Sequence, residues 1–127
     1  MKYTIDKKEQ YCNFTLNEEK IDTALAPALK SELITMAAEG HRNMILDISG
    51  VKYVDSSGLS ALLVGNRAFT EVGGIFVIVG SQEHVLKLVK ISQLEKVLYL
   101  VPTLEEAVDA IFMHEIESEL GDEESED

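Results

Sequence analysis

Ile45-Leu46-Asp47-Ile48-Ser49-Gly50-Val51-Lys52-Tyr53-Val54-Asp55-Ser56-Ser57-Gly58-Leu59 passes from strand character to helix character within one short stretch. Met44 to Ile48 reads as a buried strand, and Tyr53-Val54 as a brief extended piece. From Ser57 to about Val72 the spacing becomes helical. Leu59, Leu62, Leu63, Asn66, Phe69 and Val72 fall on one mostly apolar face. Gly73-Gly74 stops that helix and turns the chain. Ile75-Phe76-Val77-Ile78-Val79 is apolar at every position, as a central strand covered on both faces must be.

The same alternation continues outward. Residues 3–8 and 11–16 are two short extended runs with a polar break. In the second, Tyr11, Asn13 and Thr15 alternate with Cys12, Phe14 and Leu16, which predicts a half-buried strand paired with the first in a hairpin. Leu25, Leu29, Leu33 and Met36/Ala37 predict a helix over 26–39, with Pro27 in its first turn and Gly40 as its stop. Ser81 is the expected cap of a helix over 82–92. Val97 to Val101 reads as a strand. Thr103-Leu104-Glu105-Glu106 matches a capping box after Pro102 and opens a last helix, with Leu104, Ala107, Val108, Ile111 and Phe112 on one face. The order β-β-α-β-(β)-α-β-α-β-α predicts an α/β domain with a mixed sheet: an N-terminal hairpin, then parallel strands alternating with helices.

A chain of 127 residues, 46% hydrophobic and 27% charged, has room for one domain with a real core. Its charge is lopsided. Eleven Lys and Arg face 23 Asp and Glu, a net charge of −12, and residues 114–127 hold eight of the acids and no Lys or Arg. A single domain over 1–113 is therefore expected, followed by a disordered acidic tail over 114–127. Clustered Lys/Arg for a phosphate backbone or an anionic membrane surface is missing, so neither nucleic acid nor membrane insertion is expected. No apolar run approaches the roughly 20 residues of a bilayer span, and the first residues carry no signal-peptide core. One cysteine, Cys12, makes no internal disulfide, and a cytoplasmic protein is the simplest expectation.

Candidate chemistry gathers where the strand gives way to the helix at Asp55-Ser56-Ser57-Gly58. A helix N-terminus offers unpaired N–H groups and partial positive charge, so a phosphate on Ser57 or Ser56 is tolerated there. The plainer roles are a helix cap for Asp55 or Ser56 and close packing for Gly58. Ser56 with His84, or Ser57 with His41, has no oxyanion-hole motif beside it, and no catalytic residue is assigned. Asp47 and Asp55 bracket one loop but make a thin Mg²⁺ site, and His41, His84 and His114 lack ligand spacing. No metal and no cofactor are expected. Cys12 reads as a buried structural thiol. The tail reads as a solvated segment, or as an electrostatic lure for a basic partner.

Over residues 3 to 113 the chain resembles the STAS domain of bacterial anti-sigma factor antagonists. The resemblance centres on Asp55-Ser56-Ser57-Gly58-Leu59 after the strand with Leu46-Asp47-Ile48, and extends to the Ile21-Asp22 turn and the Ala26-Pro27 helix start. It implies a single STAS-like α/β fold and a non-enzymatic role in transcription regulation. It implies Ser57 as a phosphate acceptor, with Ser56 as runner-up. The implied partners are an anti-sigma factor that is a Ser protein kinase, bound only by the unphosphorylated form, and a Ser phosphatase. Asp22, Asp55, Ser56, Gly58 and Ser60 are the implied partner contacts. The alternative within the same family is a non-switching subunit or scaffold of a transport or signalling complex. Two positions depart from the pattern: Glu19-Lys20 replaces a usual Gly, and Leu25 stands where a capping Ser or Thr is common. The sequence sets no oligomeric state.

Overall fold

A computed structural model describes residues 1–126 of the chain, with side-chain surroundings as far as Gly121. The elements are β1 (Tyr3–Lys7), β2 (Cys12–Leu16), β3 (Lys20–Ile21), α1 (Ala26–Ala38), β4 (Asn43–Asp47), β5 (Tyr53–Val54), α2 (Ser56–Glu71), β6 (Ile75–Val79), α3 (Glu83–Ile91), β7 (Tyr99–Val101) and α4 (Leu104–Glu126). The sheet runs β1-β2-β4-β6-β7. β1 and β2 are antiparallel, and every later pairing is parallel. This is the expected mixed sheet with its N-terminal hairpin.

Strand periodicity divides the core into two layers. Phe14, Leu46, Phe76 and Ile78 face α1, α2 and α3. Ile45, Val77 and Val79 face the other way and pack on Ala107 and Ile111 of α4. The central strands are thus covered on both faces, which is why β6 carries no polar residue. Phe69 of α2 stacks on Phe76 with ring centroids 5.8 Å apart.

Several boundaries move for identifiable reasons. β3 is an additional strand; it pairs in parallel with β5 as a separate two-stranded ladder, too short to show a period. On α2 the buried face is Gly58, Leu59, Ala61, Leu62, Gly65 and Phe69, while Val72 is exposed. Gly65 brings α2 close against Leu33 and Phe76, so small residues share the buried face, while Leu63 is half-buried and still packs on the core. Ser81 does not cap α3: Gln82 holds the N-cap position, and the Ser81 hydroxyl is buried with no partner among the described residues. Val97 and Leu98 belong to a turn closed on the Leu94 carbonyl, so β7 begins at Tyr99. Thr103 does cap α4, its Oγ1 accepting the Glu106 N–H at 3.2 Å.

α4 is unbroken at residue 113, where the domain was expected to end. Asn43 Nδ2 donates to Glu115 Oε1 at 2.6 Å, and Arg42 pairs with the same oxygen at 3.1 Å. The acidic segment is therefore tied to the sheet at its first turn. Asp127 lies outside the described residues.

The start of α2 sits on β3. Asp55 N–H donates to the Ile21 carbonyl at 3.3 Å, and a Cβ on Gly58 would run into that carbonyl. Helix propensity alone would favour alanine over glycine there by about 1 kcal/mol. The clash is with backbone, which cannot swing aside, so Gly58→Ala is expected to lower stability by about 1–3 kcal/mol in urea unfolding. A Gly58→Ala midpoint above wild type would remove the close approach from the account. Phe76→Ala opens a cavity between Phe69, Leu33 and Gly65, with an expected loss of about 3–5 kcal/mol in the same assay.

Candidate functional site

α2 begins beside the loop that joins β3 to α1. Asp55 is its N-cap, in extended conformation, and its side chain accepts the Gly58 N–H at 2.9 Å through Oδ1. The other carboxylate oxygen, Oδ2, accepts the Thr23 N–H at 3.2 Å and lies 3.4 Å from the Thr23 hydroxyl. Thr23 Oγ1 is in turn 3.1 Å from Ser57 Oγ. A carboxylate only accepts, so the Thr23 hydroxyl donates to Asp55 and the Ser57 hydroxyl donates to Thr23. Among the described residues nothing else hydrogen-bonds Ser57 Oγ, so its lone pairs are unclaimed there.

The two serines differ. Ser56 is exposed, and its side chain makes no hydrogen bond among the described residues. Ser57 is half-buried and held in one direction by Thr23. Thr23 is a site residue that the sequence did not single out. It lies 34 residues from Ser57, and no local pattern marks a threonine in a loop as the partner of a distant serine.

Asp22 reaches the same surface by another route. Its Oδ1 accepts the N–H groups of Ala24 and Leu25, each at 3.1 Å, and its backbone carbonyl accepts from Leu25 and Ala26. Leu25 is the N-cap of α1 and offers no side-chain cap. Asp22 thus closes the turn that leads into α1, whose N-cap itself makes no side-chain hydrogen bond. Gly58 is buried against β3, whereas Ser60 is half-buried in the first turn of α2 and makes no side-chain hydrogen bond among the described residues. Asp22, Asp55, Ser56 and Ser57 are brought to one end of the sheet. Gly58 shapes that surface from beneath.

Other residues serve elsewhere. Asp47 binds the backbone N–H and hydroxyl of Ser49, closing its own loop. His84 stacks on Tyr53 with centroids 5.9 Å apart, and His41 Nδ1 is 3.4 Å from Cys12 Sγ. Neither histidine is hydrogen-bonded to Ser56 or Ser57 among the described residues. Cys12 is buried, and loss of solvation raises its thiol pKa, with a smaller opposing effect from Lys7. No helix among the described residues is long and apolar enough to cross a membrane.

The serine-bearing corner is electrostatically mixed. The first turn of α2 supplies partial positive charge, and the corner also holds the carboxylates of Asp55 and Asp22. Glu19 and Lys20 line one cleft with Asp22. Lys52, on the adjoining loop, pairs with Glu19 at 3.3 Å. A group bound here meets helix N–H groups and carboxylates.

Comparisons with known proteins agree with this arrangement. Residues 2–107 match the model of the STAS domain. A Bordetella bronchiseptica protein provisionally named as the anti-sigma factor antagonist BtrV is 29% identical over 92 residues, covering 72% of this chain and 78% of that protein. Among solved structures, a provisionally named anti-sigma factor antagonist from Thermotoga maritima superposes with a TM-score of 0.76. It is 19% identical and covers 86% of this chain and 93% of its own. The Bacillus cell fate determinant SpoIIAA in its phosphorylated form gives a TM-score of 0.66 at 19% identity, covering 87% and 99%. Those two likenesses concern the fold. With the family model spanning the whole sheet and the turn that carries Asp55 to Leu59, the chain belongs to the STAS domain family.

Proposed function

We propose that this protein is an anti-sigma factor antagonist switched by phosphorylation of Ser57. The unphosphorylated form binds an anti-sigma factor that is also a Ser protein kinase. The kinase passes the γ-phosphoryl group of ATP to Ser57 Oγ, ADP leaves, and the hydroxyl proton is released. A Ser phosphatase hydrolyses the ester and returns the hydroxyl and inorganic phosphate. The chain does no chemistry of its own: it is a binding surface and a kinase substrate in the control of transcription, and it acts in the cytoplasm.

The observation that carries this reading is the orientation of Ser57. Its hydroxyl hydrogen is taken up by Thr23, which is backed by Asp55, while its lone pairs stay free of partners among the described residues at a half-exposed helix start. An acceptor of phosphate needs those lone pairs. The name of BtrV supplies the class of partner, an anti-sigma factor.

Electrostatics explains how the modification would act. A phosphate adds about −1.5 to −2 charge. The α2 N-terminus offsets part of that, but Asp55 and Asp22 oppose it, so the group stays at the surface and is not absorbed into an ion pair. At a contact surface built from Asp22, Asp55, Ser56, Gly58 and Ser60, a displayed phosphate adds bulk and desolvation cost. A loss of affinity on the order of a hundredfold or more follows, with no refolding of the domain.

The test is intact mass and peptide mapping of wild type and Ser57→Ala from native cells. One phosphate on Ser57, absent from Ser57→Ala, is the expected result, and Ser57→Ala is expected to stay bound to the kinase in the presence of ATP. A phosphate on Ser56 would keep the switch and move its residue. No phosphate under any growth condition would defeat the proposal in favour of a scaffold, with Asp55-Ser56-Ser57 serving as a helix cap.

A further inference from the structure

α4 has two faces of different character. On the inner one, Ala107 and Ile111 are fully buried against the sheet. His114 Nε2 lies 3.0 Å from the Gly73 carbonyl oxygen, and Glu115 binds Asn43. The outer face carries Phe112, Met113, Ile116 and Leu120, which are 44–55% exposed. At 100° per residue, positions 112, 116 and 120 advance only about 40° per step, so they form one slowly turning stripe with Met113 at its edge. This stripe points away from the domain. It is not needed for the fold, because the stripe that holds α4 to the sheet lies on the opposite side.

The surroundings of the stripe carry one sign of charge. Glu117 and Glu119 border it on either side, and Glu105 and Asp109 continue its line toward the helix start. Met113 also lines a cleft of about 500 Å³ beside the sheet, together with Ile75, Tyr99 and Ala110, and the acids there are Glu106, Asp109 and Glu117. After Lys96 the sequence contains eleven Asp and Glu and no Lys or Arg.

We propose that the outer face of α4 is a docking surface for a partner protein that presents an amphipathic helix, apolar along one side and flanked by Lys or Arg. The apolar stripe supplies burial and the acidic borders select the sign of the partner. A second copy of this chain would bring two acidic borders together. Anionic lipid and nucleic acid would be repelled in the same way. A basic amphipathic helix satisfies both features at once. This surface is separate from the Ser57 corner and does not depend on its chemistry.

The test uses the full chain and a fluorescent helical peptide of roughly 15 residues, Leu and Lys only, with Leu on one face. A scrambled peptide of the same composition is the control. Anisotropy titrations at about 0.15 M salt limit long-range attraction. The amphipathic peptide is expected to bind at least about tenfold more tightly than the scrambled one. Ile116→Gln with Leu120→Gln leaves the charge unchanged and keeps good helix formers, and it is expected to erase that preference. Glu117→Gln with Glu119→Gln is expected to weaken binding severalfold. Equal binding of both peptides, or no effect of the apolar pair, would reduce the interaction to bulk charge and overturn the proposal. So would a dimer in sedimentation that the Ile116→Gln, Leu120→Gln chain no longer forms, since a second copy would then occupy the face.

Discussion

Asp55 binds two different segments with its two carboxylate oxygens. One oxygen caps α2 through Gly58, and the other holds the β3–α1 loop through Thr23. Its own N–H is bound to Ile21, the residue at the end of β3. These contacts join pieces of chain more than thirty residues apart, and they require the backbone approach that Gly58 alone permits. The surface carrying Asp22, Thr23, Ser56 and Ser57 exists because of this junction. Without it the α2 start and the α1 start would be two unrelated loops.

The same junction bears on charge. Asp55 is committed to N–H groups on both sides, so it cannot turn to accommodate another anion. Asp22 is likewise fixed by Ala24 and Leu25. A phosphate on Ser57 would therefore gain the helix terminus and face fixed carboxylates. On this basis modification would change what the surface offers a partner while the two-layered core beneath it stays as it is.

Strand and helix order was legible because burial on both faces leaves a strong mark, as in Ile75–Val79, and because Gly73-Gly74 punctuates the chain. β3 was not legible: two residues carry no period, and its pairing with Tyr53–Val54 is non-local. Leu63 packs on the core as its hydrophobicity suggests, but Ala61 and Gly65 were missed because hydrophobicity does not mark small residues that close packing on α1 favours, and Val72 is exposed. Ser81 looked like a cap by type, but the chain reaches helical conformation one residue later. At the site, Asp55, Ser56, Ser57 and Gly58 stood in one local motif, so the sequence could point to them. Thr23 required a tertiary contact.

α4 shows the same limit from the other direction. Its apolar residues look like one broad core-facing stripe when counted by type. The sheet uses only part of it: Ala107 and Ile111 are buried against Ile45, Val77 and Val79, with Val108 and Ala110 packed beside them. Leu104 and Phe112 are left about half exposed. Glu115, fixed by Asn43 and Arg42, pins the rotation one turn further on. The outward apolar stripe is thus a consequence of how α4 is anchored, and its acidic borders determine what can cover it.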